Sequence, residues 1–531
     1  MKRRQNKPCF RVVVSPAELA TGLTWEIHDI PGIRRRIAGA CAKIGHGARK
    51  VLVVWLLFTT DPSGDVMVCT ATLAALRTPP GPETKYNTAD DLLLRMVEDF
   101  NKYGEVYRAS VFGANVFVVS KPEYCERILR RNWRNYSRSG QVVKRISLLL
   151  GNGLISSNGE FWANQRRMIQ SAFTKPSIAG FTGIMRRMND ELLEKWKLAA
   201  TRGRPVNVTR DASAMVLKIT LTAIFGDDYS SVAPHFSILA DERARNLEFA
   251  QLFRPLAKII LQIVARRRLE RTVTTDILGS MMSARDRKDG DSMPDGQLAK
   301  EVLTLVVAGH ETTASLLNWL WYLLSQHAEV QTKLAEELGR IPWEGALGLE
   351  MLPKYTYTRR VIDEALRLYP PLWLMTRRAI HDDQLGEFFV PAGTEIYISP
   401  YLIQRSPQLW EMPDCFDPDR MQPEEAARRP ELAMCPFGAG PRNCIGELFA
   451  RVEIQIHIMM FARELRLRYG GKSPPEITTG MNLLSKQDFI MTPVVAGQEP
   501  GRAASPIIDW GGASADILGH YTSASVACGE T

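Results

Sequence analysis

Between Pro436 and Ile454 the chain reads PFGAGPRNCIGELFARVEI, and any fold it adopts must account for the setting of Cys444. The cysteine stands between a glycine-rich turn and an apolar helical run. A buried structural thiol has no need of glycines at 438, 440 and 446, nor of a cation two residues away at Arg442. A thiolate that binds a metal has a use for both. It is a strong ligand for soft and borderline metals. Nearby backbone N–H donors and the positive end of the following helix relieve its charge. The glycines let the backbone approach the sulfur and the plane of a cofactor. Phe437 would shield the sulfur, and Arg442 could reach an anionic group on the cofactor.

The rest of the chain narrows the possibilities. Its 531 residues are 45% hydrophobic and 24% charged, an ordinary globular balance with length for a large core. Length alone suggests two to four domains, and no fixed-period repeat points to a solenoid. Residues 1–50 hold eleven Lys and Arg against Glu18, Glu26 and Asp29, so this arm carries +8 of the net +9. A nucleic-acid protein spreads basic charge over a folded face, so no nucleic acid is expected. The eight cysteines, at 9, 41, 69, 125, 415, 435, 444 and 528, form no C-x-x-C pair and no C-x-x-C-H. They are not a disulfide framework, and the catalytic part reads as intracellular. The run VLVVWLLF, Val51–Phe58, is followed at once by Asp61, Pro62 and Asp65. A spanning helix needs about 20 apolar residues, so a buried strand or a peripheral contact is expected.

Residues 1–78 lack sustained helical periodicity, and TPPGP at 78–82 reads as a linker. VYRASVFGANVFVVS, 106–120, reads as a hairpin turning near Gly113-Ala114. A helix is expected next, opened by Ser120 and Glu123 at capping-box spacing with Pro122 in its first turn. From about 160 to 370 the pattern is helical, interrupted by the charged loop ARDRKDGDSMPDG, 284–296. Short strands and turns dominate 379–415, and a last helix runs from about Glu447 to Leu465. Beyond about Val495 the Gly/Ala/Ser-rich tail reads as disordered or loosely attached.

Five further stretches carry chemistry. LAKEVLTLVVAGHETTASLLNWLWYLL is an apolar helical run with Gly309, Glu311, Thr312 and Thr313 at its middle. These residues are locally unfavourable there, and a sequence keeps such a conflict where function needs it. A zinc-protease reading fails, because Ala314 stands where H-E-x-x-H requires its second histidine. DEALRLYPP, 363–371, puts Glu364 and Arg367 on one helix face, and FDPDR, 416–420, adds Arg420. GEFWANQRRM, 159–168, places Trp162 and Arg166 four residues apart, and LWLMTRRAI, 372–380, offers Arg377 beside Arg378.

FGAGPRNCIG, 437–446, matches the haem-thiolate signature F-x-x-G-x-R-x-C-x-G at every specified position, and the chain resembles the cytochromes P450. The resemblance spans about residues 79–495, with five motifs in family order. VVAGHETTAS is similar to the family's A/G-G-x-D/E-T-T/S, DEALRLYPP to its E-x-x-R, and GEFWANQRRM to its W-x-x-x-R. PDRM departs mildly from P-E-R-F/W and keeps the arginine.

The resemblance implies the cytochrome P450 fold, mainly α with a small β portion. It divides the chain into a basic extension (1–78), a catalytic domain (79–495) and a disordered tail (496–531). It implies haem b held between the Cys444 loop and the Gly309–Thr312 stretch, where Gly309 would let the helix widen. Cys444 would be the iron ligand, with Phe437 beside it. Trp162, Arg166, Arg377 (or its neighbour Arg378) and Arg442 would meet the propionates. Glu311 and Thr312 would handle protons. A buried Glu364–Arg367–Arg420 cluster would brace the segment carrying Cys444.

The expected reaction inserts one oxygen atom from O2 into a small apolar substrate, by hydroxylation or epoxidation. The thiolate favours O–O cleavage. Electrons would come ultimately from NAD(P)H through a separate protein, of ferredoxin, flavodoxin or P450-reductase type. Pocket walls are expected around Leu148–Ile155, Val306–Thr312, Trp373–Thr376 and Met481–Leu484, suiting a fatty acid or terpenoid. A cytoplasmic monomer with at most peripheral membrane contact is expected. The alternatives are a haem-thiolate isomerase, dehydratase or peroxygenase, which needs no external electrons, and a haem-binding sensor without turnover. The Glu311-Thr312 pair argues against the sensor.

Overall fold

A computed structural model describes residues 9–14, 50–60, 66–82, 85–86, 92–240, 249–287, 290–341 and 347–497. The tail from 498 onward and most of residues 1–49 lie outside these, so the expectation of a disordered tail does too.

Helices dominate, and the 32-residue helix Asp295–Gln326 organises them. Its residues are buried on nearly every side, from Leu298 to Leu324. A helix that is apolar all round belongs in the centre of a large protein. It packs against Val208–Phe225, Phe249–Glu270, Thr356–Leu368 and Glu447–Glu464. The core between them is aromatic: Trp319 stacks on Tyr369 with ring centroids 4.1 Å apart, and Trp196 meets Phe461 edge-on at 5.0 Å. His457 belongs to this core rather than to a site. Trp321 Nε1 donates to its Nε2 (2.9 Å), so its proton sits on Nδ1 and is given to Asn189 Oδ1 (2.7 Å). Burial pushes the imidazole down to about 3, which keeps it neutral.

The β portion forms small sheets to one side. A six-stranded sheet runs in the order Lys85–Tyr86, Val106–Val111, Ala114–Val119, Glu395–Ile398, Met375–Ala379, Tyr136–Ser137. Its hairpin turns at Phe112-Gly113, one residue earlier than the sequence pattern suggests. Val111 pairs with Ala114, and both turn residues have positive φ (49° and 79°), as the two-residue turn that suits twisted strands requires. The capping box does not form. Ser120 is buried at the strand end with its N–H on Glu105 O (2.7 Å), and Lys121 occupies the N-cap position before Pro122.

A five-stranded sheet takes the order Cys9–Val14, Lys50–Thr60, Val66–Arg77, Phe388–Val390, Asp383–Leu385. The apolar run Val51–Phe58 is therefore strand, paired on both sides. The strand ending at Arg77 adjoins the catalytic part: Arg77 pairs in parallel with Phe388, and its N–H donates to Glu387 O (2.8 Å). Among the described residues no helix is long and apolar enough to cross a membrane.

Candidate active site

Cys444 ends a folded turn that begins at Cys435. Gly438 N–H donates to Cys435 O (3.0 Å), Asn443 N–H to Gly440 O (3.0 Å) and Cys444 N–H to Phe437 O (2.9 Å). Gly440 has a φ of 71°, and a Cβ there would lie 2.0 Å from Leu129 O. No other residue fits, by conformation or by space. The helix Glu447–Glu464 starts three residues after the cysteine. Cys444 is exposed, yet protein surrounds it closely enough that burial raises its thiol pKa. It therefore faces a confined opening, not bulk solvent. The Gly446 N–H and the charges of Arg166 and Arg138 act in the opposite sense, favouring thiolate. Cys435 is fully enclosed and pushed up to about 12, as an inert core thiol should be. Phe437 is half-buried, and the Arg451 guanidinium covers its ring at 4.8 Å.

Four arginines gather beside this turn. Arg166 donates to Asn443 O (2.9 Å) and Asn443 Oδ1 (3.1 Å). Arg442 lies over the Trp162 ring at 4.1 Å and donates to Ser157 O (3.0 Å) and Asn158 Oδ1 (3.2 Å). Trp162 is itself buried, edge-on to Trp133. Arg377 is buried on its strand and donates to Thr376 O (2.8 Å), whereas Arg378 turns away to Gly393 O (3.1 Å). The fourth, Arg138, donates to Ile155 O (3.2 Å) and Arg442 O (3.3 Å). No motif marks Arg138. It follows a two-residue strand, and only the fold brings it here.

Every recorded partner of these guanidiniums is a carbonyl or an amide oxygen; none is a carboxylate among the described residues. Burial lowers all four, and repulsion from neighbouring arginines adds to it for Arg138, Arg377 and Arg442. Arg442 falls to about 9 and Arg138 to about 10, and Arg377 lies well below its usual value under the charges of Arg138 and Arg442. Four crowded cations without an acid are unfavourable alone and suited to an anionic guest.

The central helix presents a second face. Ala308, Gly309 and Thr312 are half-buried, while Val306, Val307, His310, Glu311 and Thr313 are buried. Positions 308, 309 and 312 share one side of a helix, so that side opens inward. Thr312 Oγ1 donates to Ala308 O (2.8 Å). Glu311 Oε2 accepts from Asn482 Nδ2 (2.7 Å), a partner 171 residues away with no sequence mark. The helix runs unbroken through Gly309, so the expected widening is not seen. A Cβ at Gly309 would lie 3.4 Å from Thr220 Cγ2, an ordinary contact, so packing onto the neighbouring helix does not by itself demand the glycine. The expected pocket walls divide: Val306, Trp373 and Leu483 are buried, whereas Leu148 is 83% exposed and Met481 40%.

The acid–arginine cluster is fully formed. Glu364 and Arg367 are 0% exposed, joined by hydrogen bonds of 2.8 and 2.7 Å, and Arg420 Nε reaches Glu364 Oε1 at 3.0 Å. Arg367 also donates to Gln404 O (2.8 Å) and Cys415 O (2.9 Å). Gln404 in turn accepts the Cys435 N–H (3.0 Å). A continuous chain of hydrogen bonds thus runs from Glu364 to the start of the cysteine turn.

Known proteins share this arrangement of sequence and fold. The family model described as Cytochrome P450 matches residues 81–255 and 245–493. The chain is 30% identical to cyclooctatin synthase of Streptomyces melanosporofaciens, over 71% of its length and 85% of the relative's. It is 28% identical to pentalenene oxygenase of Streptomyces avermitilis, over 70% of its length and 86% of the relative's. The solved structure of the retinoic acid bound cyanobacterial CYP120A1 superposes with a TM-score of 0.71 at 23% identity, covering 79% of this chain and 99% of that one. With a cysteine turn, an inward-facing threonine helix and an acid–arginine brace on one mainly helical scaffold, the chain belongs to the cytochrome P450 family and is a haem-thiolate monooxygenase.

Proposed function

We propose that this monooxygenase holds haem b through Cys444 and acts on an isoprenoid hydrocarbon or a lightly oxygenated derivative of one. The observation that supports the haem site is the cluster Arg138, Arg166, Arg377 and Arg442, four guanidiniums without a carboxylate beside an accessible thiol. Two propionates fit such a cluster in charge and in donor type. When bound, the haem supplies oxygen activation and transfer. The chain's own residues do the rest. Trp162 and Arg442 form one wall of the anionic site. The backbone N–H of Gly446 and the start of the Glu447–Glu464 helix steady the thiolate. Thr312 offers a hydroxyl on the open side of the central helix, and Glu311 behind it holds or passes a proton.

The substrate class rests on the relatives' names, which include pentalenene oxygenase, cyclooctat-9-en-7-ol 5-monooxygenase and carotene epsilon-monooxygenase. An apolar pocket and one or no polar handle suit such molecules. Oxygen comes from O2, and electrons come from NAD(P)H through a separate ferredoxin, flavodoxin or reductase-type partner. The protein works as a cytoplasmic monomer with at most peripheral membrane contact.

A reduced-CO difference spectrum tests the ligand. Cys444→Ser abolishes the thiolate-type band and Cys435→Ser keeps it; a normal band from the Cys444 variant would sink the assignment. A spin-shift screen of cyclic terpenes, carotenoids and fatty acids of matched length tests the class, with tighter binding of the fatty acids as the contrary result.

A further inference from the structure

Glu301 lies seven residues before Ala308 and eleven before Thr312, so all three share one face of the central helix. It is fully buried. Its Oε2 accepts the Leu154 N–H (2.8 Å) and its Oε1 accepts Gln297 Nε2 (2.8 Å). The same Gln297 amide also donates to Asn152 O (2.9 Å). Between these two ties Gly153 presses on the helix: a Cβ there would sit 2.4 Å from Thr304 Oγ1 and 3.3 Å from Glu301 Oε2. The loop then reaches the arginines. Ile155 O accepts from Arg138, Ser157 O from Arg442, and Asn158 Oδ1 from Arg442 and from the Arg138 N–H (2.7 Å).

We propose that Glu301 is a positioning residue that ties the 152–158 loop to the helix bearing Thr312, sets Arg138 and Arg442 through that loop, and releases part of the tie when protonated. The role given to the two arginines rests on the haem site proposed above; the tie itself does not.

The chemistry of the carboxyl makes the tie titratable. Both oxygens already accept from N–H donors. A proton on either one removes the negative charge and weakens that oxygen as an acceptor, so the hold on Leu154 or on Gln297 loosens. The loop residues facing it, Asn152, Gly153 and Leu154, carry no charge, and Lys300 on its own helix is the one charged group recorded as acting on it. Burial raises Glu301 to about 7, against the opposing pull of the Leu154 N–H, Gln297 and Lys300. The tie is therefore complete above neutral pH and weakens as pH falls through that value.

Hydrogen exchange of the haem-loaded protein at pH 6 and pH 8, corrected for the intrinsic rate, reads the 151–158 segment directly. Wild type loses protection there several-fold on going to pH 6. Glu301→Gln, which fixes an amide in place of the acid, shows the low protection at both pH values. Gln297→Ala, at a half-exposed position that tolerates truncation, lowers protection at pH 8 should the first variant fold poorly. The rate of haem transfer to apomyoglobin rises in step with exchange. An identical pH response in Glu301→Gln and wild type, or unchanged protection in both variants, overturns the tie. Altered exchange with unaltered haem transfer overturns the link to Arg138 and Arg442. A chain that takes up no haem at all refutes the proposed cofactor site instead, and exchange still reports on the tie.

Discussion

At the scale of single residues, the site joins groups whose individual chemistry is ordinary. Thr312 bonds back to Ala308 O as many helical threonines do, and only its place on the open face gives its hydroxyl a use. Thr312→Ala is expected to keep haem and substrate binding while diverting electrons to hydrogen peroxide. A positioned proton donor contributes about 10²–10⁴-fold; with water as a partial substitute, product formed per NADPH should fall on the order of 10-fold. Activity driven by added hydroperoxide should survive. Unchanged coupling would remove Thr312 from proton delivery. Glu453 makes a second residue-scale case. It is fully buried, and neither carboxyl oxygen has a hydrogen-bond partner among the described residues. Phe449 and His457, one turn to either side, face Phe181 and Asn189 of the helix Lys175–Thr201. Burial raises the Glu453 carboxyl well above its usual value, which favours its neutral form in the folded chain. The unfolded chain ionises near 4.5, and the folded form therefore binds more protons above that pH. The stability contributed by this group is full below about pH 4.5 and is lost as pH rises toward the folded pKa. Glu453→Gln removes that slope. Unfolding curves at pH 6 and 8 should show the variant gaining on wild type by up to about 1.4 kcal/mol per pH unit. Equal gains at both pH values would mean that the carboxyl is ionised in the folded state.

Among the elements, the Thr356–Leu368 helix and the cysteine turn are linked through side chains rather than backbone. Glu364 answers Arg367, Arg420 and the Asp417 N–H, and Arg367 passes the constraint on through Gln404 to Cys435. Removing one member of a buried ion cluster strands the others, at about 3–5 kcal/mol. A surface pair at the same i, i+3 spacing would contribute only a few tenths. Glu364→Ala should therefore yield little folded, haem-loaded protein, read as haem absorbance per unit of purified chain. Wild-type yield and haem content would return the pair to the surface class. The same helix and turn show what a pattern can and cannot carry. E-x-x-R puts two charges on one face, but nothing in the spacing says that carbonyls from residues 404 and 415 close over the guanidinium.

For the whole molecule, the question is how much of the chain the catalytic part needs. The described strands of residues 9–77 meet it through the Phe388–Val390 strand, at the Phe388–Arg77 pair and the Arg77–Glu387 contacts. Among the described side chains, the aromatic core lies elsewhere. A chain beginning at Thr78 is expected to fold, bind haem and turn over, with some tendency to associate through the uncovered strand edge. The CO spectrum and light scattering check this, and loss of haem binding would show that the sheet is an integral part of the domain. Much of the molecule is legible without coordinates. Helix and hairpin follow from the periodicity of apolar residues, because side chains repeat every 3.6 or 2 residues whatever lies beyond them. The cysteine turn is legible because its glycines are demanded locally, by the positive φ of Gly438 and Gly440; the clash that a Cβ at Gly440 would make with Leu129 O belongs to the tertiary structure. Local demands also mislead: Ser120 and Glu123 have the spacing of a capping box, yet strand pairing takes Ser120 first. Arg138, Asn482 and Glu301 carry no readable sign. Each acts on a partner far along the chain, or on a loop whose path the spacing leaves open. The sequence by itself determined which residues could ligate, donate or pair, since that is covalent chemistry and short-range geometry. Only the tertiary structure decided which of them meet, because burial removes water and leaves each polar group to the partners that packing brings within reach.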